Sequence, residues 1–377
     1  ATRGAALFTC TGPARNNTFE RNRALLEGGA VYLHHGALTD NWFVGNQARH
    51  GGAVARATGE VARNQFIENR AFETGGAIAE ATRTVDDNVF TSNTAQLGGA
   101  LTNATASVRR NRFVGNRAEY GAGAIYGVFG PVENNHFESN HGYSGGAIVN
   151  GDENGRIVGN TFIGNSAQQS AGALGVLLGE IVGNTFSGNI ATDGGAVFDC
   201  DGPIRDNAFL FNHARNRGGA LFECGGPIEG NRFESNSALV DGGAVFRPAA
   251  RVVNNRFAGN SAGRSGGAIF EPNAEVFGNL FQINVALHGG AIQGGRGDVR
   301  NNTIAGNWTP QWGIGGGLHN VTGAIENNIF WGNLRYAIYN AGEVFRPRVV
   351  RRNAFWQNWD GHYVDLLWSV YTTVAEL

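Results

Sequence analysis

The chain of 377 residues contains no lysine and no methionine, so all 29 of its basic residues are arginines. The absence of lysine excludes a lysine base and Schiff-base chemistry. The acidic residues balance the arginines to a formal net charge of −2, which leaves no basic surface for a nucleic-acid backbone. No apolar stretch approaches the roughly 18 residues that a membrane-spanning helix needs. The composition therefore predicts no nucleic-acid partner and no membrane span.

Proline is also scarce, with 8 residues, whereas glycine is abundant, with 59. Abundant glycine with so little proline argues against both a collagen-like chain and a disordered linker. The sequence begins at Ala1 without a methionine, which predicts a mature, processed chain whose signal peptide has been removed. We therefore expect an extracellular or bacterial cell-surface location.

The phrase Asn-x-Phe-x-x-Asn recurs almost from end to end. Its copies begin at Asn17, Asn41, Asn64, Asn88, Asn111, Asn135, Asn160, Asn184, Asn207, Asn231, Asn255, Asn279, Asn302, Asn328 and Asn353, with Ile304 replacing one phenylalanine. The fourteen intervals span 336 residues, so the mean period is 24. A second phrase, Gly-Gly-Ala followed by an aliphatic residue, comes after most copies of the first at a fixed offset, as in Gly75 to Ile78.

A period of this length accommodates two or three short strands and the tight corners between them. Stacked in parallel, such coils place each phenylalanine about 4.8 Å from the next inside the stack. Asparagine suits the corners, and its amides can bond along the axis as a ladder. The pattern does not fit the alternative folds. It lacks the 3.6-residue period of α-helices and the consensus of leucine-rich repeats, and one repeat is too short in strand residues for a four-stranded propeller blade. We predict an all-β fold, a single right-handed parallel β-helix (solenoid) of about 15 coils with about 24 residues per coil.

Two cysteines lie one repeat apart, at Cys200 and Cys224, and therefore on adjacent coils. The spacing of about 4.8 Å between coils falls within the Cα range of a disulfide. The sequence leaves two alternatives open, a disulfide and two buried thiols. Cys10 remains as a third cysteine, either buried or available to a partner.

One column of the repeat carries ionisable residues on four consecutive coils. It lies three residues past the alanine of the glycine phrase and contains Asp199, Glu223, Arg247 and Glu271. Carboxylates around one arginine suit a sugar-active site or a calcium ion. The simpler interpretation, which we favour, is a solvated ladder neutralised by Arg247. We predict no catalytic residue and no cofactor, and nothing in the sequence supports calcium beyond this column.

The preceding column is aromatic on the same coils, at Phe198, Phe222, Phe246 and Phe270. The residue before each of them is aliphatic, so strand alternation points these phenylalanines outward. Four stacked outward rings predict an apolar stripe for a partner or a sugar. The alternative is that the strand bends at its corner and the rings are internal. The histidines are scattered and predict corner or surface positions and no metal site.

These phrases resemble a known family. Phe113 to Asn116 together with Gly145 to Ile148 resembles the passenger repeats of chlamydial polymorphic outer membrane proteins, and Asn327 to Asn333 is similar to the last coils of other bacterial secreted β-helix proteins. The resemblance covers nearly the whole chain. It implies a secreted or cell-surface rod, often an adhesin, although the membrane-inserted part of the chlamydial proteins has no counterpart in these residues.

The C-terminal residues differ from the repeat. Six of the seven tryptophans lie from Trp308 onward, and the repeat stops after Asn358. We expect the β-helix to cover residues 1–359 and residues 360–377 to form a cap or a docking segment. An open first coil and an aromatic last segment suit end-to-end assembly of copies of the chain.

The repeated residues are explained by architecture, which leaves few for chemistry. We therefore expect a structural or adhesive β-helix with a protein or glycan partner at the cell surface. The alternative is a polysaccharide-active enzyme (a lyase, epimerase or glycosidase) that uses the column from Asp199 to Glu271.

Overall fold

The computed structural model describes residues 1–340, 343–364 and 370–371. Within these residues the chain is all-β apart from one 3-10 turn at Glu343–Phe345, and no helix is long and apolar enough to cross a membrane. The chain divides into two compact units, residues 1–191 and 192–377, and each is a stack of parallel coils. Eight coils in the first unit and seven in the second confirm the predicted parallel β-helix with about 24 residues per coil.

Each coil has up to four strands of two to five residues, whereas the sequence predicted two or three longer strands. The difference comes from very short corners. Single residues with left-handed backbone angles turn the chain, for example Glu80 (φ 62°), Asp87 (φ 53°) and Ser92 (φ 55°) in one coil. Since one such residue makes a corner by itself, 24 residues leave room for a fourth strand.

The strand with the central phenylalanine forms the phenylalanine sheet, in which the ring points inward and its two neighbours point outward. In the first unit its strands are Thr18–Glu20, Trp42–Val44, Gln65–Ile67, Val89–Thr91, Arg112–Val114, His136–Glu138, Thr161–Ile163 and Thr185–Ser187. In the second unit they are Ala208–Leu210, Arg232–Glu234, Arg256–Ala258, Leu280–Gln282, Thr303–Ala305, Ile329–Trp331 and Ala354–Trp356.

The strand after each glycine phrase forms the glycine-phrase sheet. In the first unit its strands are Leu7–Phe8, Val31–His34, Val54–Ala57, Ile78–Ala81, Leu101–Ala104, Ile125–Val128, Ile148–Gly151 and Leu174–Leu177. In the second unit they are Val197–Cys200, Leu221–Phe222, Val245–Phe246, Ile269–Phe270, Ile292–Gln293, Leu318–His319, Ile338–Tyr339, Tyr363–Val364 and Val370–Tyr371. The first residue of most of these strands is a fully buried aliphatic side chain.

Two narrower sheets complete the coils. One precedes the phenylalanine sheet, with strands Ala14–Arg15, Leu38–Thr39, Val61–Ala62, Val85–Asp86, Val108–Arg109, Val132–Glu133, Ile157–Val158 and Ile181–Val182 in the first unit and Ile204–Arg205, Ile228–Glu229, Val252–Val253, Val276–Phe277, Val299–Arg300, Ala324–Glu326 and Val349–Arg351 in the second. The other follows it, with strands Gln47–His50, Arg70–Thr74, Thr94–Ala95, Arg117–Ala118, His141–Gly142 and Ser166–Ala167 in the first unit, His213–Arg217, Ser237–Ala238 and Ser261–Ala262 in the second, and Ile190–Asp193 at their sequence boundary.

The predicted internal aromatic stack is confirmed in each unit. In the first unit consecutive rings from Phe43 to Phe186 lie 4.7–4.8 Å apart between centroids and nearly parallel. In the second unit the spacing from Phe209 to Phe281 is 4.7–4.9 Å. These spacings equal the distance between paired strands, so the ring spacing follows directly from the backbone pairing.

The two glycines of the second phrase have different roles. Gly75 has φ +64°, a conformation that side chains rarely adopt. At Gly76 a Cβ atom would lie 1.9 Å from the carbonyl oxygen of Gly99 on the next coil. The first glycine therefore supplies the corner and the second permits the close approach of neighbouring coils.

The C-terminal segment is described in part. Tyr363–Val364 pairs in parallel with Ile338–Tyr339 and in antiparallel with Val370–Tyr371. Residues 365–369 and 372–377, including Trp368, lie outside the described residues. Whether residues 360–377 serve as a cap or as a docking segment stays a prediction.

Candidate functional site

The four phenylalanines of the predicted apolar stripe form a second stack. Ring centroids lie 5.0 Å apart from Phe198 to Phe222, 4.9 Å from Phe222 to Phe246 and 5.1 Å from Phe246 to Phe270. The stripe is not open, since Phe222 and Phe246 are buried and the two rings at the ends are half-buried. The expected exposed platform is therefore corrected to a covered stack.

Two arginines cover the ring of Phe246 in this stack. The guanidinium carbon of Arg217 lies 5.3 Å from the ring centroid of Phe246, and that of Arg247 lies 5.1 Å from the same centroid. A guanidinium over an aromatic face is attracted to its π-electrons and shields it from water. Arg217 ends the strand before the glycine phrase and Arg247 follows Phe246 directly, so both come from the corners beside the aromatic column.

The carboxylate column lies on the corner next to this stack. Asp199, Glu223, Arg247 and Glu271 have φ values of 51°, 46°, 47° and 47°. Arg247 Nε is 2.8 Å from Glu271 Oε2, and Arg247 Nη1 is 3.8 Å from Glu223 Oε1. The side chains of Glu223, Arg247 and Glu271 are 40–46% exposed, as in a solvated ladder. This is the simpler interpretation that the sequence favoured.

Part of this arrangement recurs in the first unit, where Arg56 and Glu80 occupy the same column. Arg56 occupies the equivalent corner, with Nη2 3.1 Å from Glu27 Oε1 and Nε 3.3 Å from Glu80 Oε2. Glu27 lies before its glycine phrase and outside this column, so only the pair of Arg56 and Glu80 repeats the charge balance between coils. Among the described residues, no three histidine, cysteine, aspartate or glutamate side chains come together to hold a metal ion.

One acidic residue near the stack is buried, unlike the column. Asp241 is 1% exposed and accepts hydrogen bonds from Arg264, with Nε 2.9 Å from Oδ1 and Nη2 on Oδ2. Arg217 Nε lies 3.9 Å from Oδ2 of the same carboxylate. The hydrogen bond to Asp241 raises the pKa of Arg264 above its usual value. Asp241 therefore holds the two arginines that flank the corner, which is a structural role.

Cys200 and Cys224 both remain thiols and are not joined as a disulfide. Cys200 Sγ lies 3.5 Å from the carbonyl oxygen of Phe198, and Cys224 Sγ lies 3.6 Å from that of Phe222. Each thiol thus donates to a carbonyl oxygen of its own coil, in agreement with the second of the two alternatives. Burial raises the pKa of the Cys224 thiol to about 12. Cys10 is half-buried.

Two histidines depart from the predicted corner and surface positions. His34 is 1% exposed and faces the interior of the first unit. His319 is 7% exposed and continues the column of the four phenylalanines, with its ring 5.2 Å from that of His288 and its Nδ1 against Gln293 Oε1. Burial lowers the pKa of His319 to about 3. The column accepts a neutral imidazole in place of a phenyl ring.

A groove that the sequence did not predict lies on the last coils of the second unit. Its volume is about 680 Å³, and its sides are formed by Trp331, Trp359 and Ile283, which are 53%, 66% and 60% exposed. Gly306 and Gly332 form its floor. The concentration of tryptophan after Trp308 was the available signal in the sequence, but that signal gave no position for a groove.

The amides at the groove differ in their availability. Gln282 and Gln357 line it, and Gln357 Oε1 accepts a hydrogen bond of 3.3 Å from the indole Nε1 of Trp331. Asn358 also lines the groove, but its Nδ2 donates to the carbonyl oxygen of Phe330. The two glutamines are therefore the polar side chains that the groove presents to a ligand.

The chain was compared with protein-family models, with curated proteins and with solved structures, and none of the three comparisons gave a match.

Proposed function

We propose that this chain is a non-enzymatic, secreted or cell-surface β-helix that binds a partner through its lateral faces. One contrast carries the proposal. In the ionisable column Arg247 pairs with Glu223 and Glu271, whereas two exposed tryptophans, Trp331 and Trp359, line a groove on the C-terminal coils. Exposed aromatic surface with a few polar groups is typical of a binding site.

The alternative of a polysaccharide-active enzyme has less support. Hydrolysis of a glycosidic bond requires two carboxyl groups that face the same sugar from opposite sides. Glu223 and Glu271 instead face the same guanidinium, that of Arg247, and they are separated by one coil along a single column. This placement favours charge balance over acid–base chemistry.

The extracellular location rests on the resemblance to passenger repeats of surface proteins.

End-to-end assembly has less support, because the last strands of the glycine-phrase sheet argue against it. The antiparallel strand Val370–Tyr371 pairs with Tyr363–Val364, the last parallel strand of the glycine-phrase sheet. An added strand that pairs in antiparallel occupies the hydrogen-bonding edge that another copy would need. We therefore place the partner on the lateral faces.

Two assays of the purified chain test this proposal. The first measures release of reducing ends and unsaturated products from polygalacturonate, with and without calcium, and compares the native chain with Glu223→Ala. We expect no turnover by either. Turnover by the native chain that Glu223→Ala abolishes would establish the enzymatic alternative and overturn the proposal.

The second assay measures binding of the fluorescently labelled chain to intact bacterial and epithelial cells. We expect saturable binding to at least one cell type. Pretreating the cells with protease or with periodate separates a protein partner from a glycan partner. Absence of saturable binding to both cell types would contradict a role as a surface-binding protein.

A further inference from the structure

The groove at Trp331 and Trp359 has a defined floor. In its corner column, Ile283 and Gln357 carry side chains, but the two coils between them have Gly306 and Gly332. A Cβ atom at Gly332 would meet no other atom within 4 Å. The gap thus covers the two glycine coils between Ile283 and Gln357, whose backbones lie about 14 Å apart along the stack.

The walls of this groove are preorganised. Trp331 Nε1 donates to Gln357 Oε1 at 3.3 Å, so the polar group of the indole is satisfied within the protein. Trp331 nevertheless remains 53% exposed, and Trp359 remains 66% exposed. An indole held in place with an open face offers a large apolar contact, and its position is already fixed before a ligand arrives.

The chemistry of the lining selects the ligand. The residues that line the groove carry no formal charge, so they offer no partner for a phosphate, a uronate or an acidic peptide. The side-chain amides of Gln282 and Gln357 each contain both a donor and an acceptor. A ligand that fits has flat apolar faces for the indoles and uncharged hydroxyl groups for the amides.

A neutral sugar chain has both properties. Each pyranose ring has faces of C–H groups and an edge of hydroxyl groups. A β-1,4-linked chain is extended and flat, and a segment of two to three rings has about the length of the groove. An apolar peptide would leave the amide of Gln282 and the amide nitrogen of Gln357 unpaired on binding.

We propose that the groove between Trp331 and Trp359 binds a neutral, extended β-linked oligosaccharide. This inference rests on the proposed function as a non-enzymatic surface-binding protein and assigns it a site and a ligand class. The rings stack on Trp331 and Trp359, and hydroxyl groups exchange hydrogen bonds with Gln282 and Gln357. The glycine floor admits the sugar to the backbone of the corner.

Calorimetric titration of the full chain with cellohexaose tests the inference, with hexagalacturonate as the charged comparison. We expect cellohexaose to bind and hexagalacturonate to bind at least about tenfold more weakly. Trp331→Ala and Trp359→Ala should each weaken cellohexaose binding about tenfold or more. Trp356→Ala removes a neighbouring exposed tryptophan that does not line the groove, and should leave the affinity unchanged.

A second pair of variants fills the groove without removing a wall. Gly332→Asn places a side chain in the gap, and asparagine tolerates the left-handed angles of this corner. Gly188→Asn is the matched control, since Gly188 occupies the same corner column in the first unit, with φ +64° and no atom within 4 Å of a Cβ. We expect Gly332→Asn to abolish binding and Gly188→Asn to retain it, with both variants folded by circular dichroism.

The outcomes separate this inference from the proposed function. Cellohexaose binding that survives Gly332→Asn, or no cellohexaose binding at all, overturns the inference, while saturable binding to cells would still support the proposed function. Tighter binding of hexagalacturonate than of cellohexaose also overturns it. Cleavage of cellohexaose by the native chain would overturn the non-enzymatic function but keep the site, provided that Gly332→Asn abolishes binding.

Discussion

The side-chain oxygen of Asn135 accepts two hydrogen bonds from Asn111 on the preceding coil. The backbone nitrogen of Asn111 lies 2.8 Å from Asn135 Oδ1, and its Nδ2 lies 3.0 Å from the same atom. Asn135 then repeats the arrangement toward Asn160, with the same pair of donors. The ladder thus satisfies buried backbone and side-chain groups together, at a corner where strand pairing is interrupted.

Asn135→Ala should therefore destabilise the chain strongly. The substitution leaves the buried backbone N–H of Asn111 and the buried carbonyl oxygen of Val108 without their side-chain partner. Each unsatisfied group costs about 1–3 kcal/mol, so we expect a loss of at least about 3 kcal/mol in the free energy of unfolding. Urea denaturation followed by circular dichroism measures this loss.

The adjacent residue provides the control for this substitution. Asn134 is exposed and has φ 55°, and glycine occupies its column at Gly159 and Gly183. Asn134→Gly should change the free energy of unfolding by less than about 1 kcal/mol. Equal effects of the two substitutions would contradict the role that we assign to the ladder.

The ladder and the phenylalanine stack were predictable because both are columns of one residue type. A period of 24 residues with asparagine and phenylalanine at fixed positions permits few other folds. The covered state of Phe246 was not predictable, because the column that supplies Arg217 changes residue type from coil to coil. Whether arginines cover Phe246 therefore depends on how one corner faces the next. A repeat in the sequence does not contain this information.

The groove illustrates the same limit. The sequence shows that tryptophans are concentrated after Trp308, but Trp312 and Trp356 are as exposed as those that line the groove. What separates them is the glycine at Gly306 and Gly332, in a corner column whose other residues in the second unit are Phe211, Ser235, Gly259, Ile283 and Gln357. Glycine occupies this column on other coils too, where no tryptophan lies beside it. A groove forms only where glycine in the corner column coincides with tryptophan in the neighbouring column.

Phe246→Ala should reduce stability without affecting ligand binding. The ring is 1% exposed, stacks on two neighbours and lies beneath two arginines. Removal of a buried phenylalanine costs about 3 kcal/mol or more, and the arginines also lose their aromatic contact. Urea denaturation measures the first effect and cellohexaose titration the second. A marked loss of affinity with little loss of stability would instead support the apolar binding stripe that the sequence predicted.

Two acidic residues near this stack should respond differently to neutralisation. Glu271→Gln removes one half-exposed partner of Arg247, and such pairs contribute less than about 1 kcal/mol. Asp241→Asn weakens the hydrogen bonds of a buried carboxylate to Arg264, for which we expect a loss of about 2 kcal/mol. The free energies of unfolding at low and high salt distinguish the two. A larger effect at Glu271 would mean that the column is not a solvated ladder.

The stability of the second unit should decrease in acid through His319. Burial lowers the pKa of His319 to about 3, so the unfolded chain takes up a proton near pH 6.5 that the folded chain does not. Acid therefore favours unfolding, and the loss grows as the pH falls from about 6.5 to about 3. Between pH 7 and pH 5 the difference corresponds to about 2 kcal/mol.

His319→Phe tests this pH dependence, because phenylalanine occupies the same column at Phe270. We expect the variant to lose about 2 kcal/mol less than the native chain between pH 7 and pH 5 in urea denaturation. His35→Phe, at an exposed corner, controls for the loss of a histidine elsewhere. Equal pH dependence of the native chain and His319→Phe would show that the imidazole of His319 accepts a proton in the folded state.

Thiol labelling tests the state of the cysteines. Cys200 and Cys224 are 0% and 1% exposed, and burial raises the pKa of Cys224 to about 12, so the folded chain has little thiolate there to react. Cys10 is only half-buried. Without a reductant, Ellman's reagent should label one thiol per folded chain and all three after unfolding in guanidinium. If only one thiol reacts after unfolding, Cys200 and Cys224 form the disulfide that their spacing allows. The assignment of two buried thiols would then be wrong.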